Sequence, residues 1–345
     1  MLHQGLTFYD ATFWVGANAV IRKEALEDIA VVDNQGPNSY TIYIQDRTVI
    51  EDTESSIDLG LYDWKLHNYP ERLSYSATPP DFGSLVIQRR RWANGGLLIM
   101  PKFRNERRLR KETKNPVRLP ETLLRVNYMA SIAWASFGLI LLLAYPFDSR
   151  LLSPWVVAAA LPYFISMAID LKNSRYKYSD VFRIYAFNLV LLAVNTSGTI
   201  KSIEQGITNE KIPFARTPKV EGRTSAPWVF ALAPYVIIAL CIYVFTFDMI
   251  SHNWGNAAFA AFNGILCTFG LVSFIGVRHS LQDIFLGLQS WFYVPDKRAM
   301  KVQAAQGLKE APELTLSPES DDWRSVLYFG QTDPDRAAAP RLMRR

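Results

Sequence analysis

The sequence predicts an α/β region followed by an α-helical membrane domain of about four transmembrane helices with interfacial helices beside them. Three observations carry this. Short stretches of β-formers alternate with helical stretches within the first 83 residues, the pattern of a mixed sheet-and-helix layer. Apolar, uncharged runs follow, of about the 20 residues that a bilayer crossing needs. A basic block separates the two parts. Composition agrees: of 345 residues, 49% are apolar, 13% aromatic and only 20% charged, the last below the rough 25% of soluble domains. Such apolar content can bury a core, which excludes disorder across the whole chain. The only two cysteines, Cys241 and Cys267, sit in apolar runs. That excludes a disulfide scaffold or a cysteine-rich zinc module.

The elements follow in order. His3, Gln4 and Asp10 interrupt any apolar core at the start, so no secretory signal is expected there. Residues 22–30 (RKEALEDIA) predict a short helix. Residues 39–44 and 48–50 are rich in β-formers and predict strands, with one more at 73–75. Residues 52–66 predict a helix capped by Asp52, with Glu54 in its first turn. Residues 84–100 (SLVIQRRRWANGGLLIM) predict a helix that mixes arginines with apolar side chains. That mixture suits the interface beneath lipid headgroups.

Net charge is +5 overall but is uneven. Residues 89–118 hold eleven basic side chains against Glu106 and Glu112, a local +9, and the remainder carries −4. Charge confined to one block argues against a nucleic-acid partner and for an anchor to anionic lipid, since each basic residue near such a surface contributes about 1 kcal/mol.

Four runs predict membrane spans: 126–147, 152–169 (interrupted by Pro154 and Pro162), 226–247 and 255–277. A fifth run, 181–200, carries Arg183 near its start, and Asn188, Asn195 and Thr199 share one helical face. It is expected to lie flat at the interface rather than cross. The positive-inside rule supports that choice. With the fifth run flat, the basic block, Lys172, Arg175 and Lys177, and Lys201, Lys211, Arg216, Lys219 and Arg223 all lie on the cytoplasmic side. The expected divisions are 1–83, then 84–125, then a membrane domain over 126–294 with a cytoplasmic loop near 201–225. Residues 295–345 are expected to form a polar, disordered cytoplasmic tail.

Three constellations could carry chemistry. Glu51-Asp52 stands where a strand leads into a helix; a carboxylate there can take a proton from a hydroxyl, or simply cap the helix. In Gln88-Arg89-Arg90-Arg91-Trp92, arginine can bind phosphate in bidentate fashion, and tryptophan offers a flat apolar face; a basic membrane-surface helix is the plainer alternative. Phe214-Ala215-Arg216-Thr217-Pro218-Lys219 could close over a phosphate, or rest as a basic loop on anionic lipid.

Together, Trp14-Val15-Gly16-Ala17-Asn18, Ile50-Glu51-Asp52 and Gln88-x-x-Arg91-Trp92 ahead of membrane spans resemble family 2 glycosyltransferases. The nearest are processive β-glycan synthases of the cellulose synthase type. That family has a TED motif, a QxxRW motif on an interfacial helix and an FxVTxK gating loop. Phe214, Thr217 and Lys219 match the loop, with Arg216 in place of its valine. Ile50 replaces the threonine of TED, and Val15 stands where a cysteine is usual. The resemblance covers about residues 8–295.

The resemblance implies a GT-A-type catalytic region. It implies Asp52 as the base that deprotonates the acceptor, with Glu51 beside it. Gln88 and Arg91 would contact the donor diphosphate and the acceptor end, and Trp92 would stack on the acceptor sugar. Phe214, Thr217 and Lys219 would close over the nucleotide, and Gly16 and Asn18 would lie near the acceptor. Implied partners are a nucleotide sugar (a UDP-sugar), the growing polysaccharide, the lipid bilayer and a periplasmic or accessory subunit, with the protein multi-pass in the plasma membrane. No DxD pair precedes Asp52. The chain is therefore expected to be the C-terminal half of a synthase, lacking most ligands for the Mg2+ or Mn2+ of the full-length enzyme and binding the donor incompletely. A non-processive lipid glycosyltransferase and a noncatalytic membrane subunit or channel are the alternatives.

Overall fold

The computed structural model describes residues 2–14, 16, 18–34, 39–44, 48–69, 78–113, 115–144, 146, 154–208 and 222–292. The expected tail at 295–345 and the strand at 73–75 lie outside them. The first part holds α1 (Leu2–Phe8), α2 (Lys23–Asp28), β1 (Val31–Asp33), β2 (Tyr40–Ile42) and α3 (Glu51–Leu61). The strands form an antiparallel ribbon with Val31 opposite Ile42. This ribbon is the only sheet among the described residues. Residues 48–50, expected as a strand, are irregular. Ile50 is held by a helix instead of a neighbouring strand: a Cβ on Gly95 would come within 2.6 Å of its side chain.

α3 also departs from expectation. It ends at Leu61 because the chain turns through Asp63, at φ 61°, and Trp64 N bonds back to Leu59 O. Its N-cap position is Ile50, with no side-chain cap. Asp52 lies one residue inside the helix; one carboxylate oxygen takes the first-turn amide of Thr53 and the other reaches out to Gly16 N.

The arginine segment forms α4 (Phe82–Leu98), and the basic block continues as α5 (Met100–Glu112). The structure divides that block. Phe103 and Glu106 face inward and are fully buried. Lys102 Nζ lies 2.6 Å from Asp58 and 3.2 Å from Glu54. Arg110 lies 3.0 Å from Glu121. Arg104, Arg107, Arg108 and Lys111 share the exposed outer face at helical spacing. Within α5 it is this outer face that is open to a lipid surface, because Lys102 and Arg110 already serve internal carboxylates.

The helical part comprises α6 (Leu119–Ala144), α7 (Pro154–Asn173), α8 (Asp180–Thr208), α9 (Trp228–Ile250), α10 (Trp254–Gly270, prolonged by a π turn over Leu271–Ile275) and α11 (Val277–Phe292). Among the described residues, α6, α8, α9 and α10 with its π turn are long and apolar enough to cross a membrane. The run expected to lie flat is therefore a 29-residue helix that meets the crossing requirement. Its apolar stretch is 50% buried by protein, against 22–33% for the other three. Two of the polar groups that suggested an interface are satisfied within the helix, Asn188 donating to Ile184 O and Thr199 to Asn195 O, while Asn195 is buried and its Oδ1 has no partner among the described residues. The run expected at 152–169 is α7, whose side chains through residue 160 lie outside the described set.

α8 is the central post. Val190, Leu191 and Val194 join Phe82 and Val86 of α4 and Leu271 in one core; Leu189 and Tyr185 join Cys241 and Cys267 in another. The helices α4 and α8 meet at Gly198, where a Cβ would lie 2.6 Å from the Ala93 Cβ and 2.8 Å from Arg90 O. Gly198→Ala is expected to cost about 1–3 kcal/mol through overpacking, read as a lower thermal midpoint in detergent. Gly206→Ala, which meets nothing within 4 Å, is the control.

Candidate active site

The start of α3 carries three acids, Glu51, Asp52 and Glu54, where the helix dipole favours negative charge. Glu54 is fully buried and accepts from Thr48 N at 3.0 Å and from Lys102 Nζ, which fixes the entry into the helix. Asp52 Oδ1 accepts from Thr53 N at 2.7 Å and Oδ2 from Gly16 N at 3.3 Å. The segment bearing Gly16 is tied to α3 a second time. Trp14 N donates to Ser56 Oγ at 3.0 Å, and Ser56 Oγ donates to Asp52 O at 2.7 Å. Gly16 stands over both carboxylates: a Cβ there would lie 3.7 Å from Asp52 Oδ2 and 3.9 Å from Glu51 Oε1.

Tyr128 of α6 closes the corner. Its hydroxyl stands beside the Thr53 side chain within the field of Asp52. Its ring stacks on Phe13 at 4.7 Å. Sequence reasoning missed Tyr128, because a tyrosine in an apolar run carries no signal of its own.

α4 contributes a second, cationic feature. A cavity of about 320 Å³ is lined by Arg90, Arg91 and Asn94 of α4, Lys201 of α8, Val49 and Ser225, among others. Among the described residues three cations and no carboxylate line it, which suits an anion. Asn94 Oδ1 is buried there without a hydrogen-bond partner among the described residues. Lys201 also pairs with exposed Glu204 at 2.9 Å. Lys201 and Asn94 were not singled out from the sequence as site residues, because neither position carries a local signal of what it faces. Val49 lines the cavity three residues before Asp52, so the segment 49–50 joins the two features.

The other expected residues fall variously. Gln88 is half-buried on α4. Trp92 is exposed, and the Arg89 guanidinium lies 5.2 Å from its ring centre. Arg89 also lies 5.3 Å from the Phe187 ring, and burial lowers its pKa. Asn18 lines a different cleft of about 650 Å³ with Trp14, Trp64 and His67. Phe214, Thr217 and Lys219 lie outside the described residues. Among the described residues no three His, Cys, Asp or Glu side chains cluster as a metal would need. Both oxygens of Asp52 accept from backbone amides.

The chain from residue 222 onward is anchored. Arg223 makes two bonds to Asp283, at 2.9 and 2.5 Å, and Thr224 N donates to Asp81 at 2.9 Å. Asp81 also caps α4, accepting from Ser84 N at 2.8 Å. Burial alone would raise the Asp81 pKa, but the Ser84 and Thr224 amides and the charge of Arg223 hold it below the ordinary 3.8. A depressed folded pKa adds stability above the unfolded value and loses it as pH falls through the folded one. Asp81→Ala is expected to cost about 1 kcal/mol at neutral pH. Thermal midpoints of wild type and variant should converge below about pH 3.8.

Residues 1–167 match the family model of glycosyl transferase family group 2. No curated protein and no solved structure matches the chain.

Proposed function

We propose that the protein is a membrane-embedded glycosyltransferase that polymerises a nucleotide-activated sugar into a β-glycan and passes the product out through its helices. The family match over residues 1–167 supports sugar transfer, and the four apolar helices support a bilayer setting. The observation that carries the assignment of residues is the Glu51-Asp52 corner, joined through residues 49–50 to a cavity lined by Arg90, Arg91 and Lys201.

In this reading Asp52 takes the proton of the acceptor hydroxyl. The freed oxygen attacks the anomeric carbon, and the bond from that carbon to the diphosphate breaks. Arg90, Arg91 and Lys201 balance the charge that gathers on the departing diphosphate. Gln88 and the free face of Trp92 hold the acceptor end, Gly16 and Asn18 lie on its approach, and Thr217, Lys219 and Phe214 close over the nucleotide. The donor is a UDP-sugar. The site and the C-terminal tail face the cytoplasm from the plasma membrane, beside an accessory subunit. The outer face of α5 rests on anionic headgroups.

Membranes containing the protein, supplied with labelled nucleotide sugars, should yield long chains on a gel. A single sugar on lipid would make the enzyme non-processive. No transfer and no nucleotide binding, even beside partner subunits, would leave a noncatalytic membrane subunit. Arg91→Ala and Lys201→Ala are each expected to lower kcat/KM about 10- to 100-fold, the loss of one charge-assisted bond in each case. Unchanged values for both would remove the diphosphate from this cavity.

A further inference from the structure

An amphipathic helix of a soluble protein turns its apolar stripe inward; α11 does the reverse. Its inward positions are polar. Asp283 and Ser280 are fully buried. Asp283 takes both Arg223 bonds and a third from Ala226 N at 3.0 Å. Ser280 shares a 2.8 Å bond with the Tyr235 hydroxyl. Gly287 lets α11 press against α9: a Cβ there would come 2.2 Å from Trp228 Cβ. These ties fix the rotation of the helix.

The outward stripe is apolar. Val277, Leu281, Phe285 and Leu288 recur at spacings of four, four and three and are 43%, 52%, 67% and 40% exposed. Arg278, Gln282 and Gln289 are exposed along one flank. The helix starts just past Ile275, where the crossing segment of α10 ends, and Gly276 makes the turn at φ 82°. The exposed apolar surface of α9 and α10, with Leu240, Ile265 and Val272, leads to that point.

We propose that α11 is an in-plane membrane helix. Its apolar stripe of Val277, Leu281, Phe285 and Leu288 sits among phospholipid acyl chains, and its flank of Arg278, Gln282 and Gln289 sits at the headgroups. Lipid is the occupant because the stripe follows directly on the exposed apolar surface of the crossing helices, Val272 on one side of the Gly276 turn and Val277 on the other. The inference rests on the bilayer placement of α9 and α10 and uses nothing of the sugar-transfer reading.

The test places single spin labels on the full chain in phosphatidylcholine–phosphatidylglycerol proteoliposomes, at Leu281→Cys, Phe285→Cys, Leu288→Cys and Gln282→Cys. The native cysteines are both buried. Relative to Gln282, the three stripe sites should shift toward collision with dissolved oxygen and away from a water-soluble nickel chelate. Leu240→Cys on α9 reads the bilayer placement itself. Nickel accessibility at the stripe with oxygen accessibility at Leu240 would overturn the proposal. Shielding of the stripe from both reagents would also overturn it, by showing a protein cover such as a second copy. Three independent stripe sites keep the reading usable if one variant fails to fold.

Discussion

Asp52→Asn is expected to lower sugar transfer by about two to four orders of magnitude, the usual range for loss of a general base, while the chain stays folded. The carboxylate is the one group in the corner that can take a proton and is already aimed by two amides, Gly16 N and Thr53 N. An asparagine keeps one acceptor oxygen for these two donors, so one hydrogen bond is lost, at about 1 kcal/mol. That is small enough for the thermal midpoint to serve as the control. Glu51→Gln should have the smaller effect, because no hydrogen bond from Gly16 aims the neighbouring carboxylate. Labelled sugar incorporated per unit time is the readout. Incorporation by Asp52→Asn within threefold (roughly 0.6 kcal/mol of barrier) would move the base elsewhere.

Arg125→Met should unfold the chain most readily, costing about 3–5 kcal/mol as the removal of one partner from a buried ion network. Arg125 Nη1 lies 3.0 Å from Glu106, and Nη2 lies 3.3 Å from Glu121 and donates to Asp10 O at 3.1 Å. Without it, two buried carboxylates share only Arg110. Burial already holds the Glu106 carboxyl above its ordinary 4.5, against the pull of Arg125 and Arg110. A raised folded pKa means that stability is lost as pH rises through it. Arg125→Met should therefore be less deficient near pH 5 than near pH 8. Adding Glu106→Gln to Arg125→Met should restore part of the loss, since the uncompensated charge goes with it. A midpoint for Arg125→Met equal to wild type would show that the network carries no net stability.

The site was only partly legible in the sequence, and the divisions have physical causes. Glu51-Asp52 could be recognised because helix starts and acids are local features, yet the cap position is Ile50 because the helix begins at Glu51, and Asp52 divides its carboxylate between the Thr53 amide and Gly16, 36 residues away. The basic block could be counted, but Lys102 and Arg110 turn inward toward acids 44 and 11 residues distant. Tyr128 and Lys201 gave no local signal; each matters only through what it faces. The expected strand at 48–50 failed because Ile50 found a helix, not a strand, as its neighbour.

The lengths of the apolar runs, the arginine helix and the acidic helix start depend on residues close in the chain, so the sequence by itself determined them. It also determined that the protein pairs a mixed N-terminal part with membrane-length helices. Which face of each helix points inward was decided only by the tertiary structure. A buried charge or polar group is stable only against a partner, and the partners lie far off: Arg223 and Asp283 are 60 residues apart, and Arg125 and Asp10 are 115 apart. No period within one helix encodes a partner on another. For that reason α11 could turn its polar side in and its apolar side out, and α8 could become the buried post of the domain.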